Sequence, residues 1–220
     1  MQFNLLDNGI DSLKASGDIL LDYYLDYEFE RHQIKDAVFH FMHGVEIVSK
    51  YLLSQKNEEL LFKKLIEYQE AKNKMDDNNL FSVFDANPEI RTIDIMTALK
   101  RLDSQTRVKI DKELYDSLDQ IRLFRNQLTH YTVNLDDGEF VSLVTLIRRT
   151  FEKILILFEK NIPQFKKRFK ELAREEPVTE YDEYLDRLET LALMAHEDAR
   201  LDYEADRDDI LESQAMRDKD

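Results

Sequence analysis

Glycine and proline are scarce in this chain, and that scarcity restricts the folds it can form. Only 4 glycines and 3 prolines occur among 220 residues, whereas the two together normally make up about 12% of a protein. Because these residues supply most sharp turns and end most helices, few tight turns are available. Long helices are the natural result, and with 43% hydrophobic residues they can bury a core. We therefore predict an all-α fold, an antiparallel helical bundle.

Apolar positions that recur at steps of three and four residues predict where the individual helices lie. Asp111 is the predicted N-cap of the fifth helix and Thr92 that of the fourth, since both residue types accept backbone N–H groups. Asp136 to Gly138 read as a turn. The predicted helices cover 6–27, 32–54, 58–74, 92–103, 111–130 and 140–161, with an irregular loop over 76–88 and another helix from Pro163.

Charge is unevenly distributed and predicts two domains. The net charge is −15, and residues 171–220 hold 18 acidic and 6 basic residues, net −12. Residues 100–170 hold 10 acidic and 15 basic residues, net +5, with a basic run over 148–170. Composition changes at Pro177, after which Thr179 and Asp182 resemble a capping box. We predict a helical bundle over 1–175 and an acidic C-terminal helical extension over 176–220, with an ordered helix at 179–196.

Several kinds of chemistry are disfavoured by composition. The chain has no cysteine, which excludes disulfides, cysteine zinc sites and a thiol nucleophile. His40, His43 and Glu46 follow helical spacing but lack a fourth metal ligand, and the glycines are too dispersed for a nucleotide-binding loop. We therefore predict no metal and no cofactor. No targeting segment or membrane-spanning run is found, so we expect a cytoplasmic protein without membrane contact.

Residues 122–134 combine a cation, an amide, a hydroxyl and an imidazole within a short stretch of one predicted helix. Residues i and i+4 of a helix are neighbours, which pairs Arg125 with Thr129 and Asn126 with His130. His130 falls near the helix C-terminus, where the macrodipole favours a cation. An arginine binds phosphate through two hydrogen bonds, and a histidine transfers protons near neutral pH. This pattern is therefore typical of phosphodiester chemistry.

The same residues resemble the motif of the HEPN superfamily, helical ribonuclease domains common in prokaryotic toxins and antiviral systems. That motif is an arginine, a polar residue and, a few positions later, a histidine, here Arg125, Asn126 and His130. A second resemblance is an acidic residue followed four positions later by lysine in the second helix, here Glu46 and Lys50. In the superfamily this helix packs near the arginine and histidine.

The resemblance implies a metal-independent endoribonuclease of a toxin or phage-defence system. It would cleave RNA, such as tRNA or mRNA, by attack of the ribose 2′-hydroxyl, at a cleft between two protomers of a homodimer. An antitoxin or other regulatory protein would be a further partner. The implied catalytic residues are Arg125, Asn126, His130 and Glu46, and the implied substrate-binding residues are Arg122, Thr129, Tyr131 and Lys50.

Other interpretations remain open on the sequence alone. Arg125 could pair with Asp119 or another carboxylate while His130 only caps a helix end, which would leave the motif without catalytic function. The chain would then be an inactive helical module that docks a partner protein through its acidic C-terminal helix. One HEPN subgroup carries a modified tyrosine two residues after the histidine, but Thr132 occupies that position here. Control by tyrosine modification is therefore not expected.

Overall fold

The protein is all-helical in the part of the chain that the computed structural model describes, residues 4–25 and 31–172, the side chains of 21–25 and 31 excepted. Those residues contain no β-strand, only one isolated bridge between Phe62 and Thr92. The predicted fold class is confirmed. The α-helices of this part are α1 (Leu5–Leu25), α2 (Arg31–Ser54), α3 (Leu65–Asp77), α4 (Val83–Ala86), α5 (Ile95–Gln105), α6 (Lys112–His130), α7 (Asp137–Asn161) and α8 (Phe165–Glu171).

The first two helices form an antiparallel pair that packs closely at glycines. A Cβ atom at Gly9 would lie 2.6 Å from Cγ2 of Val48, and one at Gly44 would lie 2.6 Å from Cγ of Leu13. Further along the same pair, the Ser16 hydroxyl donates to the Ala37 carbonyl at 2.9 Å. Residues further along α1 therefore contact residues earlier in α2, as expected of an antiparallel pair. Glycine is needed at both positions because the helix backbones approach too closely for any side chain.

The helix that carries the motif pairs with the one that follows it, again antiparallel. Asp111 caps α6 as predicted, since its carboxylate accepts from the Leu114 N–H at 2.8 Å. Lys153, late in α7, reaches Glu113 at the start of α6, with 2.7 Å between the charged atoms. Helix α7 begins at Asp137, before the predicted position 140, because Asp136 forms a capping box in place of the predicted turn.

Helix α2 runs through the middle of the bundle, and its contacts fix the relative direction of α6 and α7. Ile34, in the first turn of α2, lines the same cavity as Leu128 near the end of α6. Tyr51, near the end of α2, accepts a hydrogen bond from Gln164, which follows α7, at 3.1 Å. Helix α2 is therefore antiparallel to α6 and parallel to α7. Phe41 and Phe151, both fully buried, pack with ring centroids 5.7 Å apart between α2 and α7.

The connection between α2 and α6 differs most from the prediction. The expected helix over 58–74 is a 3₁₀ turn at Glu58–Leu61 followed, after a break, by α3. The break arises because Lys63 N–H donates to the Arg91 carbonyl at 3.0 Å and Ile93 N–H donates to Leu61 at 2.9 Å. These long-range bonds join residues 61–63 to residues 91–93 and hold the backbone of Phe62 extended.

Two smaller errors lie in the same connection. Thr92 belongs to the bridge with Phe62, so the N-cap of α5 is Asp94, whose carboxylate accepts from the Thr97 N–H at 3.0 Å. The predicted loop 76–88 also contains a short helix, α4, which begins at a capping box of Ser82 and Asp85. The first error comes from a contact between distant segments, whereas the second is a local signal that the interpretation missed.

The predicted acidic extension, 176–220, and its helix at 179–196 lie outside the described residues. Within 4–25 and 31–172, no helix combines the length and apolarity that crossing a bilayer requires.

Candidate functional site

The motif occupies the last two turns of α6. Arg125 and Asn126 are half-buried, whereas Thr129 and His130 are exposed. His130 is the last residue of the helix, as predicted, and Tyr131 is its C-cap, with its backbone N–H donating to the Gln127 carbonyl at 2.8 Å. The imidazole therefore lies at the negative end of the helix dipole and open to solvent, where a proton-transfer group can reach a substrate.

Asn126 determines where the guanidinium of Arg125 points. Five residues correspond to a rotation of about 140° around a helix, so Arg125 and His130 start from different faces of α6. Arg125 Nη2 donates to Asn126 Oδ1 at 3.2 Å. Asn126 lies one turn before His130 and therefore on the same strip of the surface. The hydrogen bond thus holds the guanidinium on the side of α6 that carries Asn126 and His130, an arrangement that spacing alone does not predict.

The alternative pairing of Arg125 with Asp119 is not found. Asp119 is bound by Arg122, whose Nε and Nη2 lie 2.8 Å and 2.7 Å from the same carboxylate oxygen. In the described part of the chain, Arg125 forms no ion pair and the His130 imidazole forms no hydrogen bond. Among the described residues, no carboxylate competes with a ligand for Arg125 and no hydrogen bond occupies the His130 imidazole. Arg122, predicted to bind substrate, has a carboxylate partner and would have to share its charge.

Thr129 and Tyr131, the other predicted substrate-binding residues at this end of α6, differ in the groups that they can present to a ligand. The Thr129 hydroxyl donates to the Arg125 carbonyl at 2.8 Å, so its hydrogen is used within the helix and only its lone pairs remain. Tyr131 is 83% exposed, which leaves its ring available for contact with a base or a partner.

Glu46 and Lys50 are not brought to the motif within one chain. Ile34 lies at the level of Leu128, and Glu46 is twelve residues further along α2, about 18 Å away along the helix axis. Because α2 is antiparallel to α6, this step leads away from His130. Lys50 is buried, and its Nζ donates to Glu46 at 2.6 Å and to the Thr92 hydroxyl at 3.0 Å. The pair therefore joins α2 to the segment before α5.

We expect Glu46→Ala to lower stability rather than to remove chemistry at the motif. The substitution leaves the Lys50 ammonium buried with only the Thr92 hydroxyl as a partner, which should cost about 1–2 kcal/mol of unfolding free energy. Urea denaturation followed by circular dichroism measures the loss. Glu67→Ala is the matched control, because it breaks an exposed pair with Lys64 and should change stability by less than about 0.5 kcal/mol. An unchanged midpoint for Glu46→Ala would contradict this structural role.

A polar contact that the sequence does not reveal lies between α1 and α2. Ser12 Oγ and His43 Nδ1 are 2.8 Å apart, although the residues are 31 positions apart in sequence. Burial lowers the pKa of His43 below its ordinary value, opposed by the nearby Glu46 carboxylate. Ser12 is buried and also donates to the Asn8 carbonyl at 3.2 Å, so it is not placed as a nucleophile. In the described residues, no group of three or more histidine, aspartate or glutamate side chains could hold a metal ion.

The basic run 148–170 is less available to a ligand than its composition indicates. Arg148 is buried and lies 3.5 Å from Glu152. Lys153 pairs with Glu113 of α6, and Lys167 and Arg168 lie 3.7 Å and 3.6 Å from Glu171 and Asp7 respectively. Four of the eight basic residues in the run thus lie within 4 Å of a carboxylate among the described residues, one of them buried and three at the surface. Arg125 contributes positive charge at the motif without a carboxylate partner among the described residues.

No protein-family model, curated protein or solved structure matches this chain.

Proposed function

We propose that this protein is a metal-independent endoribonuclease and that the Arg125 to His130 stretch is its active site, in the manner of HEPN ribonucleases. The observation that supports the proposal most strongly is the hydrogen bond from Arg125 to Asn126. It holds a guanidinium that has no carboxylate partner among the described residues on the side of α6 that carries an exposed histidine. A phosphate bound to that guanidinium would lie next to a group that moves protons at neutral pH.

The proposed reaction is attack of a ribose 2′-oxygen on its own 3′-phosphate. The bond from the 2′-oxygen to phosphorus forms as the bond from phosphorus to the leaving 5′-oxygen breaks. Arg125 stabilises the negative charge that grows on the non-bridging oxygens. One proton must leave the 2′-hydroxyl and another must reach the 5′-oxygen, and the products are a 2′,3′-cyclic phosphate and a free 5′-hydroxyl. No metal takes part in these steps.

Two proton transfers call for two groups, and a homodimer would supply them. A neutral His130 of one protomer takes the proton of the 2′-hydroxyl, and the protonated His130 of the second copy delivers one to the leaving oxygen. Exposed apolar residues beside the motif support a second copy on this face. Leu123 is 50% exposed on α6, Val141 is 52% exposed on α7, and Tyr131 is 83% exposed at the end of α6. A two-fold axis through this patch would bring the two motifs together.

The biological role follows from this chemistry as part of the same proposal. A ribonuclease whose substrate is cellular RNA, such as tRNA or mRNA, arrests growth, which fits a toxin or a phage-defence effector acting in the cytoplasm. Such an enzyme needs a restraint, so an antitoxin or other regulatory protein is the implied partner. The site itself limits the substrate only to a phosphodiester with a 2′-hydroxyl.

The test is an assay of the purified full chain on 5′-labelled single-stranded RNA in the presence of EDTA. We expect cleavage that EDTA does not change, with cyclic phosphate at the new 3′ ends, identified by their resistance to phosphatase until acid opens the ring. DNA of the same sequence, which lacks the 2′-hydroxyl, should stay intact and is the matched control. Cleavage that stops with EDTA and returns with Mg²⁺ would overturn the mechanism.

A second candidate function is a docking module without catalytic activity. It is favoured by apolar residues exposed at the start of α3, before α4 and on α4, at a distance in sequence from the motif. Ile66 is 70% exposed and Phe81 is 89% exposed, with Leu65 and Phe84 nearly half exposed. Apolar exposure of this kind is common at protein-binding surfaces. Expression in cells separates the two candidates, since a ribonuclease toxin slows growth through Arg125 and a docking module does not.

A further inference from the structure

A small cavity lies under the C-terminal half of α6, directly beside the motif. Its volume is about 170 Å³. Ile34 and Phe124 are buried in its wall, whereas Leu128 and Phe140 are only half-buried, so the cavity opens to solvent. The remaining wall is the chain that follows the motif, residues 133–135. The same short connection that ends the motif helix therefore turns back and completes a cavity next to it.

We propose that this cavity binds a single pyrimidine base of the RNA, which rests on the proposed ribonuclease function and adds a base preference to it. An apolar cavity of about 150 Å³ is known to hold one benzene ring, so about 170 Å³ accommodates a six-membered ring. The fused rings of a purine need more space. The cavity would therefore enclose a pyrimidine more fully than a purine, part of which would stay outside its open mouth.

The lining matches an unpaired base in its chemistry as well. Phe124 and Phe140 supply aromatic surface, and proteins hold single-stranded bases mainly by stacking on such rings. Asn134 is the one lining residue with a polar side chain, and its exposed amide provides both a donor and an acceptor for the Watson–Crick edge. A chamber lined by six apolar side chains and one amide, with much polar surface besides, suits a pyrimidine better than it suits a lipid chain.

The position of the cavity relative to Arg125 fits one nucleotide. Phe124 and Leu128 lie one turn apart on the same face of α6, and Arg125 starts about 60° around the helix from Leu128. The bond to Asn126 then holds the guanidinium on the side of α6 away from Leu128, the side that carries Asn126 and His130. A phosphate on Arg125 would thus lie between a base in the cavity and the histidine. The nucleotide that supplies the 2′-hydroxyl would be the pyrimidine, and cleavage would follow it.

Binding of mononucleotides to the full chain tests the cavity without requiring any cleavage. Isothermal titration with uridine 3′-monophosphate, cytidine 3′-monophosphate and adenosine 3′-monophosphate should give at least tenfold tighter binding of the two pyrimidines. Val133→Phe, which fills the cavity from its half-exposed rim, should remove that preference. Thr132→Phe adds the same ring at the neighbouring exposed position outside the cavity and should keep it. Asn134→Ala adds no bulk and should also weaken pyrimidine binding.

The possible outcomes separate this inference from the ribonuclease proposal. Equal affinity for the three nucleotides, or a preference that survives both Val133→Phe and Asn134→Ala, overturns the pyrimidine site. RNA cleavage by the wild type at purines and pyrimidines alike also overturns it, while leaving the nuclease in place. Pyrimidine binding that Val133→Phe abolishes, in a protein that cuts no RNA, supports the cavity and overturns the nuclease.

Discussion

Arg125→Ala and His130→Ala should each reduce RNA cleavage by at least about a thousandfold while leaving the thermal midpoint nearly unchanged. The arginine would stabilise charge in the transition state and the histidine would move protons, so neither loss is replaced by another group. Neither side chain forms an ion pair in the described part of the chain, and His130 is exposed at a helix end. Cleavage rates and circular dichroism melts of the same preparations measure both effects.

The controls for this prediction separate the site from general loss of charge. Arg107 is exposed and away from the motif, so Arg107→Ala should retain activity. His43→Ala removes a histidine outside the motif and should also retain activity. Excess His130→Ala added to the wild type should lower activity more than dilution does, because a mixed dimer of the proposed kind would carry one His130 where the two proton transfers need two. A midpoint that falls together with activity would assign Arg125 and His130 to structural roles instead.

The helix that carries the motif was predictable because its signals are local. Asp111 accepts the N–H of a residue three positions later, and the apolar steps continue to Leu128, so the first and last turns are determined within the segment itself. His130 is the final helical residue for the same reason. Local consistency of this kind also fixes the capping box that starts α7, although the sequence interpretation assigned those residues to a turn.

The parts that sequence did not predict depend on contacts between distant segments. The break before α3 is caused by backbone hydrogen bonds to residues 91–93, and the sequence of residues 58–74 does not indicate it. The assignment of Glu46 to the site came from its spacing to Lys50, whereas its distance from His130 depends on the direction in which α2 passes α6. Spacing within one helix carries no information on that direction.

The detail of the candidate site lies beyond the sequence for a related reason. The spacing of the motif permits several rotamers of Arg125, and it does not indicate that the one adopted donates to Asn126. The cavity exists only because residues 133–135 reverse over Phe124 and Leu128, and a search for motifs has no means of detecting such a reversal. Residue types were therefore sufficient to find the motif but not the group that orients it or the space beside it.

Gly44→Ala should destabilise the protein by roughly 1–3 kcal/mol, contrary to helix propensity, which alone favours alanine by about 1 kcal/mol. The added Cβ would lie 2.6 Å from Cγ of Leu13 and 2.9 Å from the backbone carbonyl oxygen of Gly9. A side chain can change its rotamer, but a backbone oxygen inside a helix cannot, so α1 and α2 would have to separate. That separation loosens the central contact of the bundle. Urea unfolding measures the change.

Gly138→Ala is the control that isolates this close approach from the general effect of replacing a helical glycine. Its Cβ would meet only the Asp136 carboxylate, at 3.4 Å, which is ordinary contact. Propensity should then dominate, and the variant should be as stable as the wild type or more stable by up to about 1 kcal/mol. If both substitutions stabilise the protein, the helices can separate at little cost and the α1–α2 contact is not the rigid centre of the fold. If only Gly44→Ala destabilises it, the close approach of the two backbones determines the position of α2. The first turn of α2 forms part of the cavity beside the motif, so its position depends on the same contact.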